Sequence, residues 1–393
     1  MEEITLPFGR KTIKLKKPAN LLDIVYPREG RAVDIKTALN KILENPIGSP
    51  PLEKLIKKGD KVAVIIPDKT RRNPAKEILP LLLEKLEKSG AGEVALIIAN
   101  AAHYQHSPEE MGLDENILKK VRVYNHDARS KEMAKIGTAP IFFFFRKGVW
   151  VNKIVAQADL VIVIGTIVPH LMAGFSGGAK AIIPGVADIR TIGLNHFRML
   201  HHSSRLGVID GNILREDMEK GAGLIKDLFI INAVYDRQRH VVGLAGGDMI
   251  KAHREGVRLC REIGEVKVKK ADIVISCDEY PETINIYQTI KLIAPAARAV
   301  KPGGVIICAG ECPEGEGELS LFNRLFYWTL IRRILPKGVN IYLLSEAGKT
   351  KNFPFFLKPI ASLEDGIEKG FKKIGPDASI VILSEAGLLI PRS

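Results

Sequence analysis

Short runs of apolar, mostly β-branched residues recur along the whole chain: Lys61–Pro67, Val94–Asn100, Asp159–Gly165, Leu228–Val234, Asp272–Cys277, Gly304–Ala309, Asn340–Ser345 and Ser379–Ser384. They are continuous rather than alternating and are bounded by polar or turn residues, which predicts strands buried on both faces. Between several of them the apolar positions follow a helical period. Asn73 and Pro74 read as the N-cap and first residue of a helix that runs to Lys88, kinks at Pro80 and stops at Gly90. Asp188 reads as the cap of a second helix over Ile189–Leu200, and Met249–Ile263 forms a third. Strands alternating with helices predict an α/β protein with mostly parallel sheets. The alternation restarts after the polar run GEVKVKKAD at 264–272, so we divide the chain into domains 1–266 and 267–393. The last strand is left open between the two.

Composition narrows this picture. A length of 393 residues suits two domains at about 100–200 residues each. With 46% hydrophobic and 26% charged residues, the chain can bury enough apolar surface to exclude disorder as a whole-chain state. The most apolar stretches, Ala139–Phe145 and Leu160–Val168, fall far short of the roughly 20 residues of a membrane span. No signal-peptide core is visible at the start, and four cysteines imply no disulfide framework, so a cytoplasmic location is expected. The net charge of +13 attracts anions: nucleic acid, phosphorylated cofactors or carboxylates. The basic residues are dispersed, however, and Lys14–Lys17 and Lys267–Lys270 sit among apolar neighbours. Without a nucleic-acid-binding motif beside them, a partner of that kind is not expected.

Open α/β sheets bind ligands beyond the carboxyl ends of their strands. There the chain places Asp68, Thr70 and Arg71 after one predicted strand, and His103, Tyr104 and His106 after the next. A third is followed by Pro169-His170 and the loop GFSGGAKAIIPG with Lys180. Ser107-Pro-Glu-Glu110 is a capping box that predicts a helix start just past His103, and His106 reads as structural. Gly174-Phe-Ser176-Gly177-Gly178-Ala-Lys180 is not a Walker A loop, because alanines flank the lysine and the magnesium-binding hydroxyl is missing. Its glycines let the backbone approach a ligand closely, and a lysine desolvated among small residues becomes nucleophilic. No G-x-G-x-x-G occurs, so a dinucleotide site has no support. His196, inside the second helix, is a candidate ligand for nickel, copper or zinc, whereas His201 and His202 read as exposed. Tyr287, Gln288 and Lys291 share one helical face and suit a carboxylate. Cys308 and Cys312 lack the further ligands a metal needs.

These residues fall into five blocks in order: D-K-T-R-R-N-P at Asp68–Pro74, H-x-x-x-x-P-E-E at His103–Glu110, P-H-L-M-A-G-F-S-G-G-A-K at Pro169–Lys180, N-H at Asn195–His196, and Y-Q-T-I-K at Tyr287–Lys291. Together they resemble the nickel-dependent lactate racemases, over more than half the chain and both domains. The resemblance implies a nickel–pincer nucleotide joined covalently to Lys180, with His196 as the protein ligand to nickel. It further implies that His170, Asp68, Thr70, Gly174, Ser176, Gly177 and Gly178 lie around the cofactor, and that His103 and His170 are the acid/base pair. Arg71, Tyr104, Tyr287, Gln288 and Lys291 would bind a small 2-hydroxy acid in a cleft between the domains. The implied reaction is racemisation or epimerisation by reversible hydride transfer from C2, with cofactor-synthesis enzymes as transient partners. There is one departure: where the family commonly reads G-T-H-R-P, this chain reads Ala101-Ala102-His103-Tyr104-Gln105, which puts the substrate in question. Two other readings of the same residues are a zinc hydrolase built on His103, His170 and His196, and a non-catalytic protein that holds the cofactor.

Overall fold

A computed structural model describes residues 2–142, 145–348 and 353–392; Phe143 and Phe144 of the apolar run Ala139–Phe145 lie outside the described residues. Each predicted strand is present, with ends shifted by a few residues at most. The chain forms two compact units. One comprises residues 30–168 and 172–260, the other residues 1–29, 169–171 and 261–393.

The first unit is built on a six-stranded sheet in the order Val241–Asp248, Leu228–Tyr235, Leu160–Thr166, Lys61–Pro67, Glu93–Ala99, Arg122–Asn125. All neighbours are parallel except the outermost pair, Val241–Asp248 with Leu228–Tyr235. Alternate strand residues (Val62, Val64, Ile66, Leu96, Ile98, Ile162, Ile164) pack against Ile78, Leu79, Leu82, Leu83 and Leu86 of the helix Ala75–Lys88. That helix runs on through Pro80. From Lys61–Pro67 the chain goes first to one side of the sheet, and it later returns to the other side at Leu160–Thr166. The order therefore reverses between these two strands, and a ligand crevice is expected beyond their carboxyl ends.

The second unit has an all-parallel sheet in the order Lys358–Pro359, Asn340–Leu344, Val300–Ala309, Ala271–Cys277, Ile380–Leu383, Leu21–Val25. One face packs on the helices Ile293–Ala299 and Leu321–Ile334. The other is covered by the helix Leu363–Ile374 and by Ile4, Leu6, Phe8 and Leu15 of the hairpin Glu3–Phe8/Lys11–Lys16.

The domain division expected from the sequence, 1–266 and 267–393, is corrected at its beginning. Residues 1–29 belong with the C-terminal sheet, because Leu21–Val25 adds an edge strand beside Ile380–Leu383 and the hairpin supplies half of one core layer. The last predicted strand, at Ile380–Leu383, pairs with Ala271–Cys277 and Leu21–Val25 and stays in the C-terminal unit, where Ile390–Arg392 also pairs with Glu265–Lys267. Among the described residues no helix is long and apolar enough to cross a membrane.

Candidate active site

Asp68 directly follows the strand Lys61–Pro67 and is only 4% exposed. Its Oδ1 accepts hydrogen bonds from the Thr70 amide at 3.0 Å and the Thr70 hydroxyl at 2.6 Å, a tight turn that aims the other oxygen. That oxygen, Oδ2, lies 2.8 Å from His103 Nδ1. Burial alone would raise the pKa of Asp68. The bond to His103, the charges of His103 and Arg71, and the Thr70 hydroxyl outweigh it and hold the carboxyl well below the usual range. An ionised carboxylate on Nδ1 fixes the tautomer of a neutral imidazole. Nδ1–H donates, and Nε2 carries the lone pair able to take a proton.

His103 comes from a turn that begins at Ala101, whose φ of +53° is in the left-handed region. The Ala101 amide donates to the Gly185 carbonyl at 2.9 Å and the His103 amide to Asn100 at 2.8 Å, so the turn is held at both ends. A non-glycine residue held there stores strain of the order of 1 kcal/mol. The capping box forms as expected: Ser107 N donates to Glu110 Oε2 at 2.9 Å and Glu110 N to Ser107 Oγ at 3.2 Å. It closes a turn and not a helix; the next helix is Glu115–Lys120, capped by Asp114. His106 is buried and its backbone is gripped by the Asn125 amide, in keeping with a structural role. Tyr104 is 72% exposed.

Lys180 lies in a short 3-10 turn, Gly178–Ala181, at the end of the glycine loop. The loop is tied down by protein atoms. Ser176 Oγ donates to the Thr166 carbonyl at 2.7 Å and accepts from Val168 N at 2.9 Å, so this hydroxyl is spent on the loop's own geometry. Gly174 has φ +75°, and a Cβ there would lie 1.9 Å from the Val208 carbonyl oxygen. The glycine expected to admit a ligand thus admits another stretch of backbone.

Three buried residues absent from the sequence-based site complete the hold. Arg215 Nε donates to Ala173 O at 3.3 Å, Nη1 to Gly177 O at 3.1 Å, and Nη2 to Phe175 O. His253 Nε2 bonds Ser176 O at 2.8 Å, and Asn232 Oδ1 accepts from Gly178 N at 2.8 Å. A signal for two of them existed. Arg215 shares the inner face of the helix Ile213–Ala222 with Leu214 and Met218, and His253 lies beside Ala252 on Lys251–Gly264.

Burial, and then the positive charges of Arg71 and Arg215, bring the Lys180 pKa down to about 7, with Asp68 opposing. A large share of the amine is therefore neutral, and nucleophilic, near neutral pH. His196 closes the helix Ile189–His196, which Asp188 caps through a 2.8 Å bond from Thr191 N. The expected helix continues as a 3-10 turn over Phe197–Leu200. Burial and the charge of Lys180 lower the His196 pKa to about 4, opposed by a hydrogen bond to the Ile192 carbonyl. Asp68, Thr70, Arg71, His103, Lys180 and His196 thus belong to one unit, and their charges act on one another.

His170 lies in residues 169–171, which belong with the other unit. That unit also carries Tyr287, Gln288 and Lys291. Asn285 caps the turn Ile286–Thr289, Gln288 is buried and accepts from Lys291 Nζ, and the Tyr287 ring meets Tyr327 edge-on at 5.1 Å. Among the described residues no three His, Cys, Asp or Glu side chains are grouped to hold a metal. All four cysteines are free and buried.

A mostly parallel α/β sheet carries at its switch point a carboxylate–imidazole pair and a partly neutral lysine, side chains capable of acid/base and nucleophilic chemistry. Residues 8–207 match the Lactate racemase N-terminal domain and residues 266–341 the Lactate racemase C-terminal domain. The chain is 33% identical over 328 residues to the lactate racemase of Thermoanaerobacterium thermosaccharolyticum, covering 81% of this chain and 76% of that one. It is 34% identical over 337 residues to that of Lactiplantibacillus plantarum, covering 83% and 78%. The lactate racemase apoprotein structure from T. thermosaccharolyticum superposes with a TM-score of 0.88 at 28% identity over 100% of both chains. A Thermotoga maritima protein shares the fold, with a TM-score of 0.70 at 17% identity, over 93% of this chain and 100% of that one. The protein belongs to the lactate racemase family, and it is an isomerase of the racemase type.

Proposed function

We propose that the protein racemises or epimerises a small 2-hydroxy acid, lactate or a longer relative, using a nickel–pincer nucleotide held through Lys180. The observation that carries this is the pair Asp68 Oδ2–His103 Nδ1 at 2.8 Å, set in the same unit as a lysine whose pKa is about 7. The side chains fit such a group. Covalent attachment needs a neutral amine, which Lys180 offers. A metal needs a neutral imidazole, and burial beside Lys180 keeps that of His196 neutral near neutral pH. Lys180 and His196 would hold the group, with Asp68, Thr70 and the loop Gly174–Gly178 beside it. When bound, the cofactor supplies an electron-poor centre able to take and return the C2 hydrogen as hydride.

The chain's residues do the rest. His103, kept in one tautomer by Asp68, takes the hydroxyl proton of one enantiomer on Nε2, and His170 gives the proton that completes the other; in the reverse direction the two exchange roles. The carboxylate is assigned to Arg71, Tyr287, Gln288 and Lys291, and stays bound while the planar C2 turns to present its other face. Four free, buried thiols suit a reducing, cytoplasmic setting.

The test is intact-protein mass spectrometry with metal analysis on chain made alongside the cofactor-synthesis enzymes. The expected outcome is a nucleotide-sized adduct on Lys180 and about one nickel per chain, in keeping with a single imidazole ligand. Lys180→Ala loses adduct and activity, and His196→Ala keeps some adduct but loses most of the nickel. An adduct retained on another residue overturns the assignment.

A further inference from the structure

The helix Ile213–Ala222 carries two buried charges that the chemistry above does not use. Arg215 has no exposed surface and Asp217 is 3% exposed. From one side of the helix, the Arg215 guanidinium donates to three carbonyls of the loop that ends in Lys180. Two residues on, Asp217 Oδ2 accepts from the buried Lys147 ammonium and from Asn195 Nδ2, both at 2.7 Å, and its Oδ1 lies 2.9 Å from Arg198 Nε. Asn195 and Arg198 bracket His196.

Only a planar fork of fixed donors can meet three carbonyls pointing in different directions. A carboxylate can likewise take donors from opposite sides. Burying such groups costs several kcal/mol per ion, and apolar replacements are often as stable or more so. Their presence on an inner helix face therefore points to placement of what they hold.

We propose that Arg215 and Asp217 are positioning residues, through which one helix sets Lys180 and His196 relative to each other. Arg215 acts through the glycine loop, and Asp217 through the Asn195–Arg198 turn. This rests on the roles given above to Lys180 and His196. The groups acting on Lys180 are Arg71, Arg215 and Asp68, so a loosened loop alters its hydration and its distance from all three.

The experiment uses the full-length chain made without cofactor and reads two properties. One is the pH profile of Lys180 acetylation by acetic anhydride, followed by peptide mass spectrometry. The other is amide hydrogen exchange over Ile189–Leu200. Arg215→Lys keeps the charge but loses the fork. It is expected to raise the labelling midpoint by about one pH unit, roughly tenfold less neutral amine at pH 7, and to leave the helix exchange unchanged. Asp217→Asn is expected to speed exchange at Asn195–Arg198 by at least ~10-fold and leave the Lys180 profile alone. The double variant Lys147→Met/Asp217→Asn, which leaves no buried ammonium unpaired, is expected to do the same.

Each substitution moving both readouts marks a general loosening and overturns the proposal, as does neither moving. Failure of the functional reading looks different. The wild-type chain made with the cofactor enzymes would carry no adduct on Lys180, while these two properties would still respond as stated.

Discussion

Both units bury carboxylates where parallel strands end, and they use them differently. In the C-terminal sheet, Asp278 follows the strand Ala271–Cys277. It accepts from the amides of Glu279 at 2.8 Å and Gly387 at 2.6 Å. Glu311, just past Val300–Ala309, accepts from Arg10 N at 2.7 Å. In the other sheet, Asp68 accepts from a hydroxyl, an amide and an imidazole. A backbone amide cannot change its protonation, so carboxylates bonded to amides serve the loops they hold. A carboxylate bonded to an imidazole sets that ring's tautomer and its affinity for a proton. On the proposed function, the same strand-end position serves a loop in one unit and a working imidazole in the other. What separates them is the donor.

The strongest way to break this contrast is to remove the proton carriers. His103→Ala and His170→Ala should each lower racemisation of a holo preparation by at least ~100-fold, the low end for general acid–base catalysis. Cofactor loading of the His103 variant should hardly change by mass spectrometry. A variant that racemises near the wild-type rate makes its histidine structural.

The contrast is sharpened by changing the two aspartates in parallel. Asp68→Asn should reduce kcat by about 10–100-fold, the usual effect of losing a carboxylate behind a working imidazole. Asp278→Ala should leave kcat alone and cost about 1–3 kcal/mol in urea unfolding, for a buried amide left without its acceptor. The acid limb tests Asp68 itself. The pKa of Asp68 is lowered by folding, so its contribution to stability is fully present above the unfolded carboxylate value of about 4 and is lost as pH falls toward the folded value. The stability gap between wild type and Asp68→Asn should therefore shrink as unfolding is followed downward from pH 6 to pH 3. A gap that stays constant shows that Asp68 carries no such shift.

The smallest effect concerns Tyr104, a neutral, exposed ring at the position where the family resemblance implies arginine. The proposed function still assigns Arg71 and Lys291 to the substrate, enough for one carboxylate. A longer or bulkier 2-hydroxy acid is expected to exceed lactate by at least ~10-fold in kcat/KM, within the range one or two methylenes can supply. A panel of single enantiomers read by chiral chromatography measures this. Lactate as the best substrate would show that position 104 does not set specificity.

The sequence by itself determined what depends on neighbours along the chain. The parallel strands were legible because continuous β-branched runs are stable only when both faces are buried. Asp188 was legible as a cap because its partner, the Thr191 amide, is three residues away. Asp68, His103, Lys180 and His196 were legible because each belongs to a short block of defined order. Local chemistry also has a limit. Ser107 and Glu110 make both bonds of a capping box, yet the chain turns away without a helix, because two caps alone do not offset the cost of nucleating one.

Only the tertiary structure decided what depends on residues distant in sequence. It joined the first 29 residues to the C-terminal sheet, where an open edge and an uncovered apolar face took them. It brought Arg215 to carbonyls about forty positions earlier and His253 to one 77 positions earlier. For Lys180 the small flanking residues pointed to desolvation, but the charges of Arg71 and Arg215 that lower its pKa further act through space and leave no mark on the residues beside it.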